Sequence, residues 1–222
     1  LEFRFSSIRI LSRRIDSNPV NSNRYFNALI KDGLIQQFAN VHTNAERYVM
    51  LTKTGASYLE AWGRDVNKAT TRVAHLGRYS QILHDIAVQT VLLNRLNQFT
   101  EVVWDRHIDI EFGGDRPDAI AKSVNGYWVA IEFERWRKER KRIYMSLLHH
   151  ADNLRDGKHY KGVLFFFEQE ADCKYYMDLF SQKEWPKCIR SGRSNRIIES
   201  GEVFKPDDYD RLRTCFVFTH ES

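Results

Sequence analysis

Residues 116–138 read RPDAIAKSVNGYWVAIEFERWRK, and this stretch decides the fold. Asn125-Gly126 is the strongest short hairpin signal a sequence offers, because a tight two-residue turn needs positions that tolerate positive φ. It joins two strand-like runs, Asp118–Val124 and Tyr127–Glu134. Side chains alternate along a strand, so Glu132 and Glu134 share one face. The hairpin turns the strand that Asp118 opens back beside them. Three carboxylates are thereby expected at one sheet edge, where like charge is costly unless a cation compensates it.

Downstream, a charged amphipathic helix is expected from about Lys138 to Leu154, with Ile143, Leu147, His150-Ala151 and Leu154 on one side. GVLFFF, residues 162–167, is a continuous apolar run of the kind buried on both faces of a sheet. Residues 171–183 read as a helix and 214–219 as a strand, while CIRSGRSNRIIESG, 188–201, is too irregular to assign. Upstream, a long helix is expected over Thr71 to Asn97, striped by Val73, Leu76, Tyr79, Ile82, Leu83, Ile86, Val91 and Leu92. Val102–Trp104 and Ile108–Phe112 read as strands, and Gly113-Gly114 breaks the run. The order helix, antiparallel strands, helix, buried strand resembles the αβββαβ core of PD-(D/E)xK restriction-endonuclease-like nucleases. The expected fold class is therefore α/β (α+β), with such a domain over residues 71–222.

The first 64 residues read as a separate winged-helix domain. Ser6 and Ser7 cap a helix through Arg14, Asn18-Pro19 marks a turn, and Asn21 to Lys31 forms a second helix burying Tyr25, Phe26, Leu29 and Ile30. Gly33 ends that helix. Two short strands, Leu34–Val41 and Arg47–Leu51, flank the turn His42-Thr43-Asn44, and Thr52 opens a third helix with Tyr58, Leu59 and Trp62. Asn23, Arg24, Asn27 and Lys31 on the outer face of the second helix are residue types that contact phosphates and base edges in the major groove. A solvated helix face, or a protein contact, is the alternative reading of the same residues. RDVNKATT, 64–71, reads as a linker.

Charge agrees with a polyanionic partner. Residues 1–80 carry 12 Lys and Arg against 6 Asp and Glu, while 81–222 carry 22 against 23. The whole chain stands at +5. A basic block, Arg135, Arg137, Lys138, Arg140, Lys141 and Arg142, directly follows the acidic cluster and suits phosphate binding. Arg190, Arg193 and Arg196 read either as a second phosphate strip or as a surface loop. Oxygen-only ligands at Asp118, Glu132 and Glu134 favour Mg²⁺ or Mn²⁺ over zinc. Glu134 stands where the PD-(D/E)xK pattern commonly has lysine, and Lys138, one helical turn onward, is the expected substitute. Tyr144 lies within reach as a covalent nucleophile, although its helical spacing also fits a core residue. Tyr160, Tyr175 and Tyr176 are weaker candidates for that role.

ExExxxK after a strand bearing RPDA, with HDIAVQTVLL at 84–93, resembles the replication-relaxation family and its MobC-type plasmid mobilization relaxases. The resemblance covers about residues 5–168. It implies a winged helix coupled to a nuclease-like domain, with Asp118, Glu132, Glu134 and Lys138 as active-site acids and lysine. The implied activity is metal-dependent nicking of plasmid DNA at an origin of transfer during conjugative mobilization, with accessory mobilization proteins as partners. A homodimer is a further expectation. The competing reading is a DNA-binding transcriptional regulator or replication accessory protein that keeps the fold without cutting.

Several classes are disfavoured. Hydrophobic residues at 42% and charged residues at 28% describe a globular chain, not a disordered one. No apolar run approaches the roughly 20 residues a spanning helix needs. LEFRFSSIRI carries charge inside its apolar stretch, unlike a signal peptide, and a start at Leu1 is expected of a fragment. Cys173, Cys188 and Cys215 form no CxxC pair, so free thiols in a reducing cytoplasm are expected. His149-His150 lacks the spacing of a histidine-cluster relaxase. GxxxxGK[ST], GxGxxG and GxSxG are absent, against a nucleotide motor, a dinucleotide enzyme or an α/β hydrolase.

Overall fold

A computed structural model describes residues 4–38, 47–108, 116–157, 159–191 and 196–221. The chain is mixed α/β and divides into two compact units, Leu1–Leu96 and Asn97–Ser222. The expected turn at 42–44, the strand beyond Ile108, Gly113-Gly114 and Arg193 lie outside the described residues.

The first unit runs β1 (Ser6–Ser7), α1 (Ile8–Arg14), α2 (Pro19–Lys31), β2 (Ile35–Phe38), β3 (Tyr48–Leu51), α3 (Lys53–Ala61) and α4 (Tyr79–Asn94). Side-chain caps start the first three helices, with α2 beginning at Pro19, two residues before the expected Asn21. The Ser7 hydroxyl accepts from Ile10 N at 3.2 Å, the Asn18 carboxamide from Asn21 N at 2.9 Å, and the Thr52 hydroxyl from Gly55 N at 2.9 Å. Gly55 also has to be glycine, since a Cβ there would come within 1.9 Å of Leu34 O. The strands form an antiparallel sheet in the order β1-β3-β2.

Two expectations change in this unit. Tyr25 is exposed and not part of the core, where Phe26 of the same helix sits with Ile8 and Val49. The helix assigned to the second domain, α4, instead packs in the first. Its Ile82 and Ile86, with Leu76, join Phe5, Phe38, Tyr48 and Met50 in one core. Buried Gln89 fastens it to β1, accepting from the Ser6 hydroxyl at 2.7 Å and donating to Phe5 O at 3.0 Å. Arg4 pairs with Asp85 at 2.6 Å.

The second unit runs β4 (Phe99–Trp104), β5 (Ala119–Ser123), β6 (Trp128–Glu134), α5 (Arg140–Asp156), β7 (Val163–Phe167), α6 (Glu170–Phe180), β8 (Trp185–Arg190), β9 (Ile197–Phe204) and β10 (Phe216–His220). A five-stranded sheet has the order β10-β7-β6-β5-β4, antiparallel among β4, β5 and β6 and parallel among β6, β7 and β10. The turn between β5 and β6 carries Gly126 at φ +86°, but Asn125 keeps negative φ and Gly126 N donates to Ser123 O at 2.9 Å, so the connection spans residues 124–126 and is not the two-residue turn that Asn-Gly signals. Ile143, Leu147 and Ala151 of α5 share a core with Ala130, Phe165 and Phe167. The stretch 188–201, too irregular to assign by pattern, contributes to a hairpin of β8 and β9, with Cys188 opposite Glu199. Among the described residues no helix is long and apolar enough to cross a membrane.

Candidate functional site

Sheet register brings the three expected acids together. Ala119 pairs with Ile131 across the antiparallel β5–β6 ladder, so Asp118, just before β5, stands opposite Glu132. Both acids of β6 lie toward the C-terminal end of a central strand, not at an outer edge of the sheet. Parallel strand ends are where open α/β sheets bind ligands. Glu132 is 9% exposed and Glu134 2%, an unusual depth for carboxylates.

Each acid has a partner from a different part of the chain. Asp118 Oδ2 accepts the backbone N–H of Phe133 at 2.8 Å. Glu134 Oε1 accepts from the Lys138 ammonium at 2.5 Å. Burial is the main force on Glu134, and with Glu132 and Asp118 nearby it raises the carboxyl to about 7 in spite of Lys138. Burial works against the Lys138 ammonium, but the carboxylates of Glu134, Glu132 and Asp118 outweigh it and hold its pKa above the ordinary value. Lys138 precedes α5, which begins at Arg140. The lysine therefore reaches its acid from the connecting segment and not from the helix, a correction to the expected position.

Glu132 is held by a histidine that sequence reasoning set aside. His150 Nε2 lies 3.1 Å from Glu132 Oε1, and its Nδ1 lies 2.7 Å from the Tyr160 hydroxyl. Burial first, then Lys138, lowers His150 to about 3, so the ring is neutral and carries one N–H. The tautomer that satisfies both contacts donates from Nε2 to Glu132 and accepts at Nδ1 from Tyr160. Burial, then Glu132, pushes the Tyr160 hydroxyl far up, keeping its proton in place. The signal for it in the sequence is the phase of α5: His150 sits on the same face as Ile143 and Leu147, where an unpartnered imidazole would be costly.

The remaining expected residues separate into two groups. Arg135 donates from Nε to Glu168 at 2.6 Å, and Arg137 from Nε to Asp172 at 2.8 Å, so both are engaged within the unit. Arg140, Lys141 and Arg142 are exposed near the start of α5, with Lys141 4.0 Å from Glu199. Arg190 and Arg196 are exposed beside the β8–β9 hairpin. Tyr144 is not at the carboxylates. It is fully buried in the core, and its hydroxyl donates to Gln182 Oε1 at 2.6 Å, so the nucleophile expectation gives way to the core one. Tyr176 is buried as well, close enough to Glu134 and Glu132 that burial and both acids raise its hydroxyl pKa. Tyr175 lies under the Arg137 guanidinium.

In the first unit, Asn23, Arg24, Asn27 and Lys31 are all exposed on α2. Arg47, which the sequence did not single out, bridges that face to the sheet. It donates to Asn27 Oδ1 at 2.8 Å, Asn23 Oδ1 at 3.4 Å and Gln37 Oε1 at 2.9 Å.

Among the described residues, no three His, Cys, Asp or Glu side chains are arranged to hold one metal ion. No family model, no curated protein and no solved structure matches this chain.

Proposed function

We propose that the chain is a DNA-processing protein. On this reading a winged-helix unit recognises DNA, and a restriction-endonuclease-like unit nicks it at a plasmid origin of transfer in a divalent-metal-dependent reaction. The observation that carries the reading is the meeting of Asp118, Glu132, Glu134 and Lys138 beside one strand end. Three acids with one ammonium leave the cluster short of positive charge, while burial chiefly, with Glu132 and Asp118 beside it, holds the Glu134 carboxyl up. Oxygen donors in this state fit Mg²⁺ or Mn²⁺, with Asp118 and Glu132 as the holding pair, since Glu134 is engaged by Lys138. A bound ion would lower the pKa of its water and take up charge on the scissile phosphate. His150 orients the Glu132 carboxylate, Lys138 keeps Glu134 from crowding the other two acids, and Arg140, Lys141 and Arg142 offer exposed charge to the phosphate backbone.

One observation favours a second reading, a DNA-binding regulator that does not cut. Lys138 already neutralises Glu134, and the acids are not gathered into a three-donor metal site among the described residues. The two readings separate in a plasmid assay. Mg²⁺- or Mn²⁺-dependent nicking of supercoiled plasmid carrying the cognate origin, lost in Asp118→Ala and Glu132→Ala with DNA affinity retained, supports the nuclease. Affinity without nicking in the wild-type protein supports the regulator.

A further inference from the structure

Trp136 is the most unusual surface residue near the acids: it is 64% exposed, two positions beyond Glu134. An exposed indole on a loose loop would be free to fold onto the surface. The backbone that carries this one is fastened on both sides of it, at Arg135 and at Arg137 and Lys138. Arg135 holds Glu168 through Nε at 2.6 Å and Nη2 at 3.4 Å, and Glu168 N donates to Glu134 O at 3.1 Å. Arg137 holds Asp172 at 2.8 Å and lies 4.6 Å from the Tyr175 ring, and Lys138 holds Glu134 at 2.5 Å. The Arg135 guanidinium lies 4.7 Å from the Trp136 ring centroid and stiffens it further. Arg140, Lys141 and Arg142 are exposed a few residues onward.

We propose that Trp136 stacks on an unpaired nucleobase, so that the DNA this site takes is single-stranded or locally opened and not intact duplex. A presented aromatic ring among cations is how proteins grip single strands, because every base has a π-face while the cations follow the phosphates. In a duplex those faces are already stacked on neighbouring bases and closed to an indole. Arg135, Arg137 and Lys138 are paired with Glu168, Asp172 and Glu134, so it is the exposed Arg140, Lys141 and Arg142 that make a polyanion the fitting occupant. The inference rests on the DNA-processing reading for its ligand, but not on cleavage.

Binding is measured with the full chain in EDTA, so that no strand is cut, using a labelled oligo-dT of about 20 nucleotides and a duplex of the same length. Trp136→Ala should weaken oligo-dT binding about 5- to 100-fold while duplex affinity changes less than about twofold; Trp136→Phe should keep part of the affinity. Oligo-dT should also quench the intrinsic tryptophan fluorescence of the wild type more than that of Trp136→Phe. Unchanged oligo-dT affinity in Trp136→Ala overturns the proposal, as does an equal loss for both DNAs. A change in sedimentation of the free protein with DNA binding unaltered overturns it in favour of a contact between copies. A single-strand-selective loss in a protein that never nicks plasmid would sink the nuclease reading and leave this one standing.

Discussion

Replacing Lys138 by methionine tests the electrostatics of the site without any assumption about catalysis. The change removes the ammonium 2.5 Å from Glu134 Oε1 and keeps an unbranched stem of similar length. The Glu134 side chain is 3% exposed, and burial chiefly, with help from Glu132 and Asp118, already lifts its carboxyl to about 7. A carboxyl whose pKa is higher folded than unfolded binds more protons in the native state. Stability from Glu134 is therefore present at low pH and is lost as pH rises from about 4.5 to about 7, by on the order of 3 kcal/mol at roughly 1.4 kcal/mol per unit. Without Lys138 the carboxyl climbs higher, and the loss continues to more alkaline pH.

At pH 6, Glu134 is mostly protonated in both proteins, so Lys138→Met forfeits one buried hydrogen bond, about 1–2 kcal/mol. At pH 8.5 the wild type holds an ionised pair, whereas the variant must bury a lone carboxylate or hold a proton against the solution. The cost then approaches the roughly 3–5 kcal/mol of a broken buried pair. The assay is hydrogen exchange of the β6 and β7 amides across a urea series in EDTA, which reads opening of the second unit directly. A destabilisation equal at the two pH values, or larger at pH 6, rules out this electrostatic account.

Further outcomes follow from the hydrogen bonds around Glu132 and from the exposed face of α2. His150→Leu removes a donor to Glu132 and an acceptor from the Tyr160 hydroxyl; it should cost about 2–4 kcal/mol in urea unfolding, whereas Tyr160→Phe should cost about 1 kcal/mol. If the histidine orients Glu132 for a metal, His150→Leu should also abolish nicking, while Tyr160→Phe retains it within about tenfold. In the first unit, Arg24→Ala with Asn27→Ala should weaken specific DNA binding by about 1–3 kcal/mol for each side chain that reads a base edge. Arg47→Ala, which frees both asparagines, should reduce sequence discrimination with little change in salt dependence. Affinity at fixed salt that is unmoved by any of these would remove α2 as the DNA-reading element.

What is legible in the chain is local. Ser7, Asn18 and Thr52 precede apolar-periodic runs, and each caps the helix that follows, because capping needs only the next three residues. The Asn-Gly turn and the period-two alternation of β6 predict the carboxylate face for the same reason. The boundary between units is not local. The apolar stripe of α4 says that it must be covered, but any apolar surface satisfies a stripe. The choice falls to Gln89, whose carboxamide matches the Ser6 hydroxyl and Phe5 carbonyl more than 80 positions away. Nothing in a period or a propensity encodes such a match.

The same distinction explains the acids. Spacing in β5 and β6 brings Asp118, Glu132 and Glu134 together, but spacing alone describes a repulsive cluster that should not persist. What makes it tenable is that each acid meets a donor, among them the Phe133 amide, the His150 ring and the Lys138 ammonium. Of these, spacing anticipates only Lys138, and it misplaces the route through a helical turn because α5 begins two residues later. His150 escapes a search for metal ligands, a role for which the histidine pattern is poor. As a neutral donor on the buried face of α5, anchored from behind by Tyr160, it solves a different problem. A carboxylate at the end of a central strand needs orientation as much as it needs countercharge. A buried neutral imidazole supplies the first without adding the second, which at this cluster comes from the Lys138 ammonium.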